Sequence, residues 1–246
     1  MSCLFFCFGA GARAAGTEAE LVVSAASSLT DAFREIGAAF EASHPGVKVV
    51  FNFGGSGALL QQAAQGAPVD VLAFADEETM ERAREEGLVL TGTQRTFARN
   101  RLVLALPTSN APRVARLEDL THPSVKRVAV GNPDFVPAGW RARDVLTRAR
   151  LWDALGPKLL FGANVRQVLE YVRRGEVEAG FVYATDVAGA KGLVTAVELA
   201  TPAAAASYPA AVVASSKKRE SAKSFVAFLA GRPAQAALAR YGFGLP

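Results

Sequence analysis

Residues 20–62 read ELVVSAASSLTDAFREIGAAFEASHPGVKVVFNFGGSGALLQQ, and the reading of this stretch decides the fold. Glu20 to Ala25 is an apolar run of strand length. Leu29, Phe33, Ile36 and Phe40 then recur at helical spacing and form one apolar stripe. Val47 to Phe53 is β-branched and aromatic, the composition of a strand. Leu59 to Gln65 returns to a helical pattern. Strand, helix, strand, helix in immediate succession predicts parallel strands joined by crossover helices.

The alternation continues outward. Strands are expected at Val69 to Ala75, Leu102 to Leu106, Val128 to Gly131, Ala179 to Tyr183 and Tyr208 to Ala214. Helices are expected at Glu77 to Glu86, Trp140 to Arg150 and Val165 to Arg174, and two more close the chain at Lys218 to Ala230 and Arg232 to Tyr241. Ala203 to Ala206, between Pro202 and Pro209, reads as a loop or a crossing between lobes. The expected architecture is α/β, with two doubly wound lobes joined by a two-strand hinge and a ligand cleft between them. Residues 16–100 with 208–246 form the first expected lobe, and residues 101–207 the second.

The ends and the rare residues narrow the function. The chain has 246 residues, half of them hydrophobic and a fifth charged, with a net charge of +4. The excess of basic residues is spread along the chain, with no basic face and interleaved aromatics that would mark a nucleic-acid binder. Cys3 to Phe8 is a short apolar run followed by small residues and Ala12-Arg13-Ala14, the pattern of a secretory signal over residues 1–15. That run is too short to span a bilayer. The only cysteines are Cys3 and Cys7 and the only histidines His44 and His122, so the body of the chain cannot build a Cys/His zinc site. Ser56 lies in G-G-S-G-A, which lacks the last glycine of a nucleophile elbow, and no P-loop is present. His44 and His122 each precede a proline and read as loop residues. Asp70, Asp76 and Asp186 lie near strand ends, but no histidine or second nucleophile supports acid–base work there.

Ligands of open α/β sheets bind beyond the carboxyl ends of the strands. The turns at that edge are Ser27-Ser28-Leu29-Thr30, Gly54-Gly55-Ser56-Gly57, Pro137-Ala138-Gly139 and Asn164-Val165. Ser28 sits where a helix N-cap belongs, and Ser56 opens the next helix. Four helix N-termini would face one cleft, each offering unpaired N–H donors and a partial positive charge. Tyr183, at a strand end, adds a hydroxyl. Such a site takes a small oxyanion without a lysine or arginine.

At these residues the sequence resembles the periplasmic molybdate-binding proteins of ABC importers. The resemblance runs from about Leu21 to Phe243. It rests on Ala25-Ala26-Ser27-Ser28-Leu29-Thr30, Phe53-Gly54-Gly55-Ser56-Gly57, Gln65-Gly66-Ala67-Pro68-Val69-Asp70-Val71, Ala75-Asp76, Val136-Pro137-Ala138-Gly139, Asn164-Val165-Arg166, Val182-Tyr183-Ala184-Thr185-Asp186 and Tyr241-Gly242-Phe243. It implies hydroxyl donation to a tetrahedral oxyanion from Ser28, Ser56 and Tyr183, and backbone N–H donation from Ser56, Ala138 and Val165. These residues would touch the oxyanion's oxygens and would not ligate the metal itself. The resemblance further implies a periplasmic, monomeric receptor for molybdate and tungstate that needs no cofactor, is not an enzyme, and serves an inner-membrane ABC permease. Two departures stand out: Gly55 and Gly57 flank Ser56 where some members carry serine, and Trp140-Arg141 follows the Pro-Ala-Gly turn in place of a smaller apolar residue and tyrosine. Other readings are a receptor for another oxyanion such as sulfate, a hydrolase using Ser28 or Ser56, and a ligand-sensing module, although no helix-turn-helix precedes the first strand.

Overall fold

A computed structural model describes residues 19–109, 113–190 and 192–246. The expected secretory signal lies outside the described residues. β1 (Ala19–Ala26) pairs in parallel with β2 (Val47–Gly54) and β3 (Val71–Ala73). α1 (Thr30–Ser43) makes the first crossover and α2 (Ser56–Ala64) the second. The apolar stripe of α1 is its buried face, with Phe33, Ile36 and Phe40 inaccessible to solvent. Phe33 packs 5.6 Å from Phe97, and Phe40 packs 5.2 Å from Phe225, measured between ring centroids. α3 (Glu77–Glu85) follows, capped by the Asp76 carboxylate, which accepts the Thr79 N–H at 2.7 Å.

β4 (Arg95–Pro107) is far longer than the strand expected at Leu102 to Leu106. Its first seven residues pair antiparallel with β9 (Ala205–Val212), and the rest pair antiparallel with β7 (Ala179–Tyr183) and β8 (Val194–Glu198). The charged stretch Arg95 to Arg101 still forms strand because one side is apolar: Phe97 is wholly buried while Arg99 faces water. β5 (Val128–Gly131) lies between β7 and β6 (Leu159–Gly162), parallel to both. The sheet order is β2-β1-β3-β9-β4-β7-β5-β6, with β8 beside β4. The parallel pairing expected from the alternation is found among β1, β2 and β3 and among β5, β6 and β7, whereas β4, β8 and β9 run antiparallel to their neighbours. Strands that cross between lobes must return, and the return reverses their direction.

α4 (Pro137–Arg148) begins three residues before the expected start at Trp140, with proline at the first turn, where its missing N–H costs nothing. Gly139 lets it lie against β5, since a β-carbon there would stand 2.0 Å from the Gly131 carbonyl oxygen. α5 (Trp152–Leu155) is one short turn, α6 (Val165–Arg173) buries Val165, Val168, Leu169 and Val172, and α7 (Ala184–Gly189) follows β7 directly. α8 (Arg219–Leu229) and α9 (Arg232–Arg240) close the chain. Ala203 to Ala206 is partly the expected crossing: a helical turn at Pro202–Ala204 leads into β9. Among the described residues, no helix is long and apolar enough to cross a membrane.

Candidate functional site

Ser28, Ser56, Ala138, Val165 and Tyr183 line one small cavity of about 10 Å³, together with Gly55, Ala75 and Val136. No lysine, arginine, aspartate or glutamate lines it. That volume is far below the roughly 300–1,000 Å³ of a site for a drug-sized organic ligand. The five sequence-derived residues, spread over more than half the chain, are thus brought together, and each is nearly inaccessible to solvent.

Each of these cavity residues is positioned by its element. Ser56 is the first residue of α2, whose N-cap is Gly55 and which has no side-chain cap. Ser56 Oγ accepts the Ala75 N–H at 3.1 Å. A hydroxyl that accepts from behind keeps its own proton to donate forward. Ala138 sits in the first turn of α4, again with no side-chain cap. The N–H groups of a first turn have no acceptor within their own helix. In α6 the Asn164 side chain accepts the Gln167 N–H at 3.0 Å, a cap that does not engage the N–H of Val165, which lines the cavity.

Ser28 departs from expectation. It is not an N-cap; Ser27–Leu29 is a separate helical turn, and α1 starts after it. Its Oγ instead lies 3.0 Å from the Tyr208 hydroxyl. Tyr208 and its neighbour Asn100, 3.3 Å from the same hydroxyl, were not legible as site residues. They lie 180 and 72 positions from Ser28, and no local pattern marks them. Gly57 also gains a role: its N–H donates to the Phe135 carbonyl at 3.0 Å, which joins the turn before α2 to the turn before α4.

Tyr183 has a buried hydroxyl with no hydrogen-bond partner. Burial pushes its pKa well up, as do the Asp76 and Asp186 carboxylates, although Arg141 pulls the other way. The phenol therefore keeps its proton at neutral pH. Behind it Asp186 accepts the Tyr183 N–H at 3.0 Å and faces Arg166 at 3.1 Å. Burial dominates this carboxylate and raises its pKa to about 6 against the pull of Arg166 and the Tyr183 N–H. Arg166 reaches on to Asp31 of α1 at 2.8 Å, so an ion pair ties α6 to α1 beside the cavity.

The hydrolase reading fails on geometry. Ser28 is partnered by Tyr208 and Ser56 by a backbone N–H. His44 stacks on Phe40, and His122 contacts Ser124. Asp70 holds the Val22 N–H and the Ser216 hydroxyl, Asp76 caps α3 and Asp186 holds the start of α7, so the three carboxylates have separate structural tasks. No cluster of three or more His, Cys, Asp or Glu able to hold a metal ion occurs among the described residues.

The family model for bacterial extracellular solute-binding proteins matches residues 21–244. The chain belongs to that family. Its members are extracellular proteins that bind solutes and are not enzymes. The molybdate-binding protein ModA of Escherichia coli is 34% identical over 241 residues, covering 96% of this chain and 93% of that protein. Among solved structures, the periplasmic molybdate-binding protein of Azotobacter vinelandii superposes with a TM-score of 0.83 at 24% identity, covering 92% of this chain and 99% of that one. The sulfate-binding protein SubI of Mycobacterium tuberculosis gives a TM-score of 0.78 at 21% identity, covering 92% of this chain and 86% of that one. At those identities both likenesses speak for the fold, a periplasmic-binding-protein architecture of two α/β lobes.

Proposed function

We propose that this chain captures molybdate outside the cytoplasm, accepts tungstate equally, and hands the ion to an inner-membrane ABC permease. One observation carries the reading: a small cavity lined by donors from Ser28, Ser56, Ala138, Val165 and Tyr183, with no charged side chain in its wall. The 34% identity to a named molybdate-binding protein supports the choice of ion. In this reading residues 1–15 are a secretory signal, the exported chain is monomeric, and the lobes divide into 16–100 with 208–246 and 101–207. β4 and β9 are then the hinge strands.

The donor set explains the selection. Molybdate, tungstate and sulfate are fully deprotonated at neutral pH and only accept hydrogen bonds. Monohydrogen phosphate carries a proton that finds no acceptor, which costs about 1–3 kcal/mol. Sulfate is smaller, so donors spaced for molybdate leave it long, weak bonds. Tungstate is near molybdate in size and escapes both penalties.

Thermal unfolding with molybdate, tungstate, sulfate and phosphate at equal ionic strength tests this. An ion that binds only the folded state adds about 4 kcal/mol at a thousandfold excess over Kd. Large shifts with molybdate and tungstate alone are expected. A shift with sulfate in their place would keep the receptor and discard the ion; no shift with any would discard the oxyanion reading.

A further inference from the structure

The cavity fixes where the Ser28 hydroxyl is, and the groups behind it fix which way the proton points. Asn100 is in β4, at the point where that strand leaves β9 and begins to pair with β7. Its Oδ1 accepts the Arg101 N–H at 2.9 Å. That contact sets the amide's orientation, because the flipped form would place the NH2 group against another N–H donor. Nδ2 then donates to Thr185 Oγ1 at 2.9 Å and to the Tyr208 hydroxyl at 3.3 Å. Tyr208 is wholly buried, and burial keeps its phenol protonated. Its oxygen receives the Asn100 proton, so its own proton goes to the remaining neighbour, Ser28 Oγ, 3.0 Å away. Ser28 has received a proton in turn and must donate away from Tyr208, into the cavity that it lines.

We propose that Tyr208, oriented by Asn100, is a positioning and specificity-determining residue that makes Ser28 a donor toward the bound oxyanion. The proposal rests on the oxyanion reading and deepens it. Tyr208 is not among the residues that line the cavity. It acts through Ser28 by ruling out the alternative in which Ser28 donates backwards and turns a lone pair to the ion. A protonated anion oxygen at the same place would set two protons against one contact, so the relay favours fully deprotonated ions. Ser56 reaches the same polarity by a simpler route, the Ala75 N–H behind its oxygen. Each serine thereby accepts a hydrogen bond that leaves its own proton free to donate.

A double-mutant cycle read by titration calorimetry with molybdate tests the relay. Tyr208→Phe is expected to weaken molybdate binding about five- to tenfold. In the Ser28→Ala background the same substitution should change affinity by less than about twofold, because the group it acts through is gone. Asn100→Ala should behave alike, with a smaller loss. Tyr208→Phe should also narrow the preference for molybdate over phosphate, most at pH 6, a change that loosened packing would not produce. Equal losses in the two backgrounds, or no loss in either, would overturn the relay while leaving the oxyanion reading standing. If the wild type ignores molybdate but binds sulfate, the cycle is read with sulfate; if it binds no oxyanion, the reading and the relay fall together.

Discussion

The two sides of the cavity solve one problem with different materials. The β1–α1 and β2–α2 turns contribute Ser28 and Ser56, whose hydroxyls rotate and must be aimed by Tyr208 and by the Ala75 N–H. The α4 and α6 turns contribute Ala138 and Val165, whose donors are backbone N–H groups already aimed by the helices. The difference teaches where each side is vulnerable. A side-chain donor can be deleted by one substitution. A backbone donor can be disturbed only by moving its helix.

The largest expected effect strikes both sides at once. A β-carbon at Gly57 would stand 2.7 Å from the Phe135 carbonyl oxygen, closer than real contacts allow. Gly57→Ala should hold the sides apart and weaken molybdate binding at least about a hundredfold, with little change in the melting temperature of the ligand-free protein. Wild-type affinity by calorimetry would show that the sides need not meet this closely.

Next comes the carboxylate that steadies Tyr183. With a folded pKa of about 6, Asp186 holds a proton that the unfolded chain releases near pH 4. Its contribution is therefore fully present below pH 4 and is lost as pH rises through 6. Between those values it should cost on the order of 3 kcal/mol of stability. Asp186→Asn should flatten that part of the profile of denaturation midpoint against pH, and an unchanged slope would show that another group sets it.

Deleting single donors ranks lower. Ser56→Ala removes a hydroxyl from the cavity and leaves the Ala75 N–H buried and unpaired. It should weaken binding roughly ten- to a hundredfold. Tyr183→Phe should cost less, about three- to tenfold, because its side keeps two backbone donors. A greater loss for Tyr183→Phe would invert the comparison. Val165→Ala trims a side chain and keeps its N–H, so affinity should stay within about threefold of wild type. A tenfold loss would mean that α6 is aimed by packing of this side chain.

Much of this was legible in the sequence for a local reason. Helical stripes such as Leu29, Phe33, Ile36 and Phe40, and glycine-rich turns such as Gly54 to Gly57, announce themselves within a few residues. The five cavity residues all sit on strand-to-helix turns, where topology predicts a site. What escaped reading was non-local or half-solvated. β6 and β8 are short strands that meet water, and Val194 to Glu198 alternates valine with polar residues too briefly to stand out. The first half of β4 hides behind its arginines. Ser28 has the local look of a cap, and only a tyrosine 180 residues away reveals its partner.

β4 carries a last consequence. One strand of 13 residues, with a register shift between Thr96 and Ala98, is stitched to β9 through Arg101 and to β7 from Leu102 onward, so it has no slack segment between its two attachments. Asn100 sits at the seam. Under the proposed relay, a bend of the strand there would shift the amide that points Tyr208 at Ser28. Under the proposed relay, opening the proposed lobes at this seam would also turn a donor away, coupling the uncovering of the ion to a weaker hold on it.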